Sequence, residues 1–205
     1  MRSDSPVGFI AKGLQPAWAF DMQGTSPLWM SKAEELDRMA RLGYAAWRED
    51  VEEIRAYRSD PTHKALPSRP TTVTVTLFLA ATAIELLLKA CLVVEHPECV
   101  SQGRLQGKAI ESHDLLKIAR EASVALEHDE ADFCALGTEA IRSFGRYTIG
   151  KNASASPSGV AIKDGTFAVY DRLHRRLRER VEARPWRDYV SVQSNARKAT
   201  PRGEE

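Results

Sequence analysis

"TVTVTLFLAATAIELLLKACLVVE", Thr72 to Glu95, decides how this chain folds. Its residues are apolar around most of a helical wheel, so a helix here has no free side and must be wrapped by other elements. Its length approaches that of a membrane span, but Glu85 and Lys89 lie inside it and each is costly in hydrocarbon. The stretch therefore reads as the central helix of a soluble protein, with no membrane contact expected. At 100° per residue, Thr82, Glu85 and Lys89 fall within about 60° of one another, one narrow polar stripe on an apolar cylinder. Glu85 precedes Lys89 by four residues, the favourable order for an ion pair along a helix.

Working outward, "SKAEELDRMARLGYAAWREDVEEIRAYR" from Ser31 repeats apolar groups at Leu36, Met39/Ala40, Gly43/Tyr44, Trp47, Val51 and Ile54. Ser31 with Glu34 three residues on has the form of a capping box, which predicts a long amphipathic helix starting there. Three prolines in "SDPTHKALPSRP" separate it from the central helix. Beyond a polar segment, "SHDLLKIAREASVAL" places Ser112 as an N-cap and Asp114 in the first turn of a third helix. A fourth helix, "DEADFCALGTEAIRSFG", opens with Asp129 as its cap and closes at Gly145, with Phe133, Leu136, Ala140, Ile141 and Phe144 as its stripe. A fifth, "TFAVYDRLHRRLRERVEAR", buries Tyr170, Leu173, Leu177 and Val181. Strand alternation is confined to the weak "VTVT" at Val73 to Thr76. The expectation is an all-α, up-and-down bundle of about five helices over residues 31–184, preceded by an N-terminal arm (1–30) and followed by a polar, disordered tail (185–205).

The 205 residues suit one core. Lys plus Arg at 29 against Asp plus Glu at 28 leaves +1, so no global field draws the protein to nucleic acid or membrane. Affinity of that kind must be local. The strongest local charge is Arg172 to Arg187, with seven Arg against Glu179 and Glu182, a local balance of 7 − 2 = +5. Arg172, Arg175, Arg176 and Arg180 share one helical face and are the expected RNA-binding residues, a solvated charged face being the plainer reading. Cys91, Cys99 and Cys134 show no disulfide or metal spacing, and the chain starts without a signal-like apolar run, which together predict a cytoplasmic protein. The five His are dispersed, so no metal site is expected.

"GRYTIGKN", Gly145 to Asn152, matches the phosphate-binding loop pattern until its last position, where Asn152 replaces Ser or Thr. Such a loop must follow a strand and open a helix, whereas this one follows a helix and runs into "NASASPSG". No nucleotide cofactor is expected. The segment reads instead as a loop anchored by Arg146 and Tyr147, with Arg146 turning back to Glu85 or Asp114.

"AIELLLKACLVVE", then "SHDLLKIA", then "FGRY" together resemble the HEPN superfamily, small helical proteins in which a Glu-x-x-x-Lys helix and a His-Asp-Leu helix start recur. The resemblance covers about Thr72 to Lys151, under half of the chain. It implies a dimeric up-and-down bundle in a superfamily that contains metal-independent RNA-cleaving toxins, defence proteins and inactive binding or scaffold modules. The catalytic members carry Arg followed by His four to six residues later on a late helix. Here that spacing occurs only from Arg58 to His63, in "RSDPTH" with Pro61 inside it, and His174 has no Arg at that distance before it. The sequence thus predicts a non-catalytic, homodimeric HEPN-like protein that binds RNA or a partner protein, in bacterial defence, toxin–antitoxin or stress biology. The alternative is a noncanonical metal-independent ribonuclease, whose site would be drawn from Glu85, Lys89, His113, Asp114, Arg142 and Arg146. His113 and Asp114 also serve simply as helix-start residues, and Arg142 and Arg146 as cations at a helix C-terminus.

Overall fold

The computed structural model describes residues 25–59, 72–101, 104–142 and 165–183. They form five helices, α1 (Ser26–Ser59), α2 (Val73–Glu95), α3 (Leu115–Glu121), α4 (His128–Arg142) and α5 (Thr166–Glu182). A 3-10 turn at Pro97–Cys99 and a two-residue antiparallel ladder, β1 (Val100–Ser101) on β2 (Arg104–Leu105), are all that interrupts the helical pattern. The protein is all-α.

Contacts at known positions give the directions. Gly43 meets Thr76 and Trp29 meets Lys89, so α1 and α2 run antiparallel. Cys91 lies at Leu177 and Glu95 at Arg180, so α5 runs parallel to α2. Phe133 packs on Tyr170 while Glu130 takes Arg176, so α4 opposes α5. The result is an up-and-down bundle of four long elements, with the seven-residue α3 wedged against α2 and α4.

α2 is the axis of the bundle. Leu77, Ile84, Leu87, Leu88 and Leu92 are all at 2% exposure or less, and every other long helix packs on it. The wrapping that so apolar a helix demands is supplied largely within one chain. Among the described residues, the exposed large hydrophobic side chains are Leu28, Met39 and Leu42 on α1 and Val75 at the start of α2.

Four helix boundaries differ from the sequence reading. α1 begins at Ser26 rather than Ser31, with the Thr25 carbonyl accepting from the Leu28 and Trp29 N–H groups and Pro27 in the first turn, where its missing N–H is no loss. Ser31 and Glu34 are thus helix-surface residues, and residues 26–30 belong to the bundle and not to the arm. α3 starts one residue after Asp114, which is itself the cap: its Oδ1 accepts the Lys117 N–H at 3.0 Å, while Ser112 Oγ accepts the Asp114 N–H. α3 ends at Glu121 because Ser123 takes a left-handed conformation, φ +51°, closing the helix with Val124 N–H on the Ala119 carbonyl and Ser123 N–H on that of Arg120. At α4 the capping role falls to Glu127 and Glu130, the Glu130 carboxylate accepting the Glu127 N–H at 3.0 Å, and Asp129 is left to pair elsewhere.

Candidate functional site

The polar stripe of α2 lies inside the bundle. Glu85 and Lys89 are 4% and 5% exposed, and Lys89 Nζ donates to Glu85 Oε1 at 2.7 Å. The i,i+4 spacing brings them together, and the Trp29 ring of α1, 5.8 Å from Nζ, covers the ammonium from the other side. Thr82, the third member of the stripe, donates back to the Phe78 carbonyl and takes no part in the cluster. His113 does. Its Nδ1 stands 3.1 Å from both Glu85 oxygens, held there by the turn that leads into α3. A ring nitrogen facing a carboxylate at that distance is best read as the donor, on a side chain that is 48% exposed. A buried carboxylate that orients a half-exposed imidazole can move a proton, and it can equally well pin a loop to a helix.

Asp114 and Arg142 form a second layer beside this cluster. With Oδ1 committed to the cap, Asp114 Oδ2 lies 3.6 Å from Arg142 NH2, an ion pair that ties the end of α4 to the start of α3. Arg146 and Tyr147, and with them the "GRYTIGKN" loop, lie outside the described residues.

The basic face of α5 is turned largely onto acids of its own chain. Arg172 reaches both Asp129 oxygens at 2.7 Å and lies 3.6 Å from Glu127 and Glu130. Arg176 donates to the fully buried Glu130 and to the Ala125 carbonyl. Arg180 donates to Glu95 at 3.0 Å and to the Ala122 carbonyl. Of the four expected RNA contacts, Arg172, Arg176 and Arg180 are clamps between α5 and its neighbours, and Arg175 is left as an exposed cation. The four residues do share a helix, but the acids that meet three of them come from α2 and α4 and the turn before α4, where no local sequence pattern reveals them.

A further polar cluster, not expected from the sequence, joins α1 to α5. Tyr170 OH donates to Asp37 Oδ1 at 2.7 Å, Arg41 Nε donates to Asp37 Oδ2 at 2.9 Å, and Arg41 also pairs with Asp171. Burial pushes the Asp37 carboxyl up, but the hydrogen bonds from Arg41 and Tyr170 outweigh it and leave the group below the usual carboxylate range. His174, 6% exposed, lies tilted against the Tyr170 ring, and its Nε2, 4.0 Å from Asp37, has no hydrogen-bond partner among the described residues. Burial lowers its pKa, more than Asp37 raises it.

Among the described residues no three His, Cys, Asp or Glu side chains are placed to hold a metal ion. Burial pushes the thiol of Cys91 up to about 11 and that of Cys134 up to about 12, which keeps both protonated and unreactive. α2 is long and apolar enough to cross a membrane by length and composition, and most of it is enclosed by the other helices. No family model, curated protein or solved structure matches this chain, so the likeness to the HEPN superfamily rests on its short motifs alone.

Proposed function

We propose that this chain is a non-catalytic, HEPN-like binding protein that works as a dimer through protein contacts, in bacterial defence or stress biology. Between RNA and protein as partner, one observation favours protein: Arg172, Arg176 and Arg180 are already matched by Asp129, Glu130 and Glu95. A guanidinium so matched releases few counterions on meeting a phosphate, and counterion release supplies most of the affinity for nucleic acid. The test is fluorescence anisotropy with a single-stranded RNA oligomer at 50 and 200 mM salt. The expected outcome is binding no tighter than about 10⁻⁴ M at the higher salt, the weak end of non-specific association. Micromolar binding with a steep salt slope, lost on Arg175→Ala, would return RNA to first place.

The geometry of Glu85 and His113 favours one second reading, a metal-independent ribonuclease. His113 Nε2 would take the proton of a ribose 2′-hydroxyl as its oxygen attacks the adjacent phosphorus and the bond to the 5′-oxygen breaks, the leaving oxygen taking a proton from water; Glu85 would stabilise the imidazolium, and Arg142, beside Asp114, would be a half-exposed cation for the phosphate. Cleavage of a fluorogenic RNA in EDTA, abolished by His113→Ala with the fold intact, would establish this reading over the first.

A further inference from the structure

From Thr76 to Val93 every residue of α2 is buried except Phe78, Leu79, Thr82 and Leu86, and Val75, just before that run, is 55% exposed. At 100° per residue these five share an arc of about 100°, so the axis of the bundle keeps one open face, about 16 Å long from Val75 to Leu86. Past Leu86 the face closes, with Lys89 under the Trp29 ring and Val93 fully buried. Part-exposed apolar side chains gathered on one face of so apolar a helix mark a surface that something covers. A second copy is a poor occupant: a stable dimer buries about 800 Å² per partner, and four of these five side chains are already mostly covered.

The chain itself enters the bundle at the closed end of this face. Gly43 meets Thr76 and Trp29 meets Lys89, so facing positions on the antiparallel α1 and α2 sum to 118 or 119, and Thr25 stands level with residues 93–94 of α2. Before it the sequence reads "QPAWAFDMQG", Gln15 to Gly24, in which Trp18, Phe20 and Met22 alternate with Ala19 and Asp21. Drawn out straight, such a segment turns its three large apolar side chains to one side. At about 3.3 Å per residue Met22, Phe20 and Trp18 would stand about 10, 17 and 23 Å from Thr25. At 1.5 Å per residue Leu86, Thr82 and Leu79 lie about 11, 17 and 22 Å from the same level on α2. Gly24 falls where the chain would reverse into α1, and glycine accepts backbone conformations that other residues avoid.

We propose that the occupant of this face is the chain's own N-terminal arm, residues 16–23 lying extended and parallel to α2 with Trp18 on Leu79, Phe20 at Thr82 and Met22 on Leu86. This goes beyond the reading of the protein as a dimeric binding module and does not depend on it. Its consequence is regulatory. Thr82 shares the polar stripe of Glu85 and Lys89, so the arm shields a face that adjoins the cluster holding His113, and a partner protein that used this face would have to displace the arm first.

Cysteine pairs in the full chain test it, in a Cys99→Ser background under mild oxidation. Phe20→Cys with Thr82→Cys is expected to form a disulfide within one chain, seen as a faster band on a non-reducing gel and as a linked peptide pair by mass spectrometry. Phe20→Cys with Ala168→Cys is not, although Ala168 is exposed at the same level on α5, nine residues before the Leu177 that lies at Cys91. Fluorescence is a second readout that needs no cysteine. The Trp18 signal, taken as wild type minus Trp18→Phe, is expected to be shielded from acrylamide; Leu79→Glu is expected to shift it to the red and remove the shielding, with far-UV circular dichroism unchanged. The proposal is overturned if residues 20 and 82 link only between two chains or not at all, or if residue 168 links to residue 20 as readily. It is equally overturned if Trp18 is quenched in the native protein as freely as in concentrated urea, or stays shielded in Leu79→Glu.

Discussion

Lys89 illustrates how burial changes what a residue is for. The same Glu-x-x-x-Lys spacing on a wet helix contributes a few tenths of a kcal/mol. Here both partners are nearly dry, so removing one strands a charge in the core. Lys89→Met is expected to lower stability by about 3–5 kcal/mol in urea unfolding, and Glu85→Gln/Lys89→Met to recover much of that loss, because two neutral side chains have no charge to orphan. A single mutant as stable as wild type would mean that the pair opens to solvent and works as a cleft. The Glu85–Lys89 pair was legible in the sequence because both residues sit on one helix. The addition of His113 was legible only through the His-Asp-Leu likeness, and the cluster of Asp37, Tyr170 and His174 not at all. Asp37 and Tyr170 are 133 residues apart, and no period links positions on different helices.

Helices α1 and α2 approach closely at Gly43. A Cβ built there would lie 2.3 Å from Thr76 Oγ1, and the Thr72 hydroxyl reaches the Gly43 carbonyl at 3.4 Å. Alanine at that position would raise helix propensity by about 1 kcal/mol. The overlap decides the sign: Gly43→Ala is expected to destabilise by about 1–3 kcal/mol in thermal or urea unfolding, and Gly43→Ala/Thr76→Ala to bring stability back to wild type or above. If Gly43→Ala alone stabilises, the two helices are not in contact there. At this scale the sequence was informative about existence and poor about ends. Apolar residues recurring every three or four positions mark each helix because only one face can be buried. The capping box at Ser31 misled because Ser and Glu three apart are also common on a wet helix surface, and the start at Ser26 is signalled by Pro27 instead. The stop after α3 was hidden because Ser123 occupies the left-handed position where Gly is usual. The arginines of α5 misled for a different reason, since a periodic row of cations looks the same whether water or a neighbouring helix supplies the anions.

For the molecule as a whole, the ends of the described bundle are joined through a group that titrates. His174 is buried where α5 meets α1, facing Asp37 and Arg41 from α1, Asp171 and Arg178 from α5, and the ring of Tyr170. Its pKa is lowered in the fold, so below about 6.5 the unfolded chain binds more protons than the folded one, and stability falls with pH there. The contribution is fully present above pH 6.5. Asp37 adds the same sign at lower pH, its share being lost only as pH drops below the usual carboxylate range. Wild-type melting temperature is therefore expected to decline between pH 7 and 5, and His174→Gln to flatten that decline; equal slopes for the two proteins would show that other groups govern it. The docking of α5 also sets a clock. A ribosome makes the chain from the N-terminus, so α2 is complete at Glu95 while the helix that closes over Cys91 is complete only at Glu182, 182 − 95 = 87 residues later. At 5–20 residues per second that interval is roughly 4–17 s. Throughout it, part of the most apolar of the described helices waits without its cover, and the nascent chain is a substrate for whatever in the cell holds exposed hydrophobic segments.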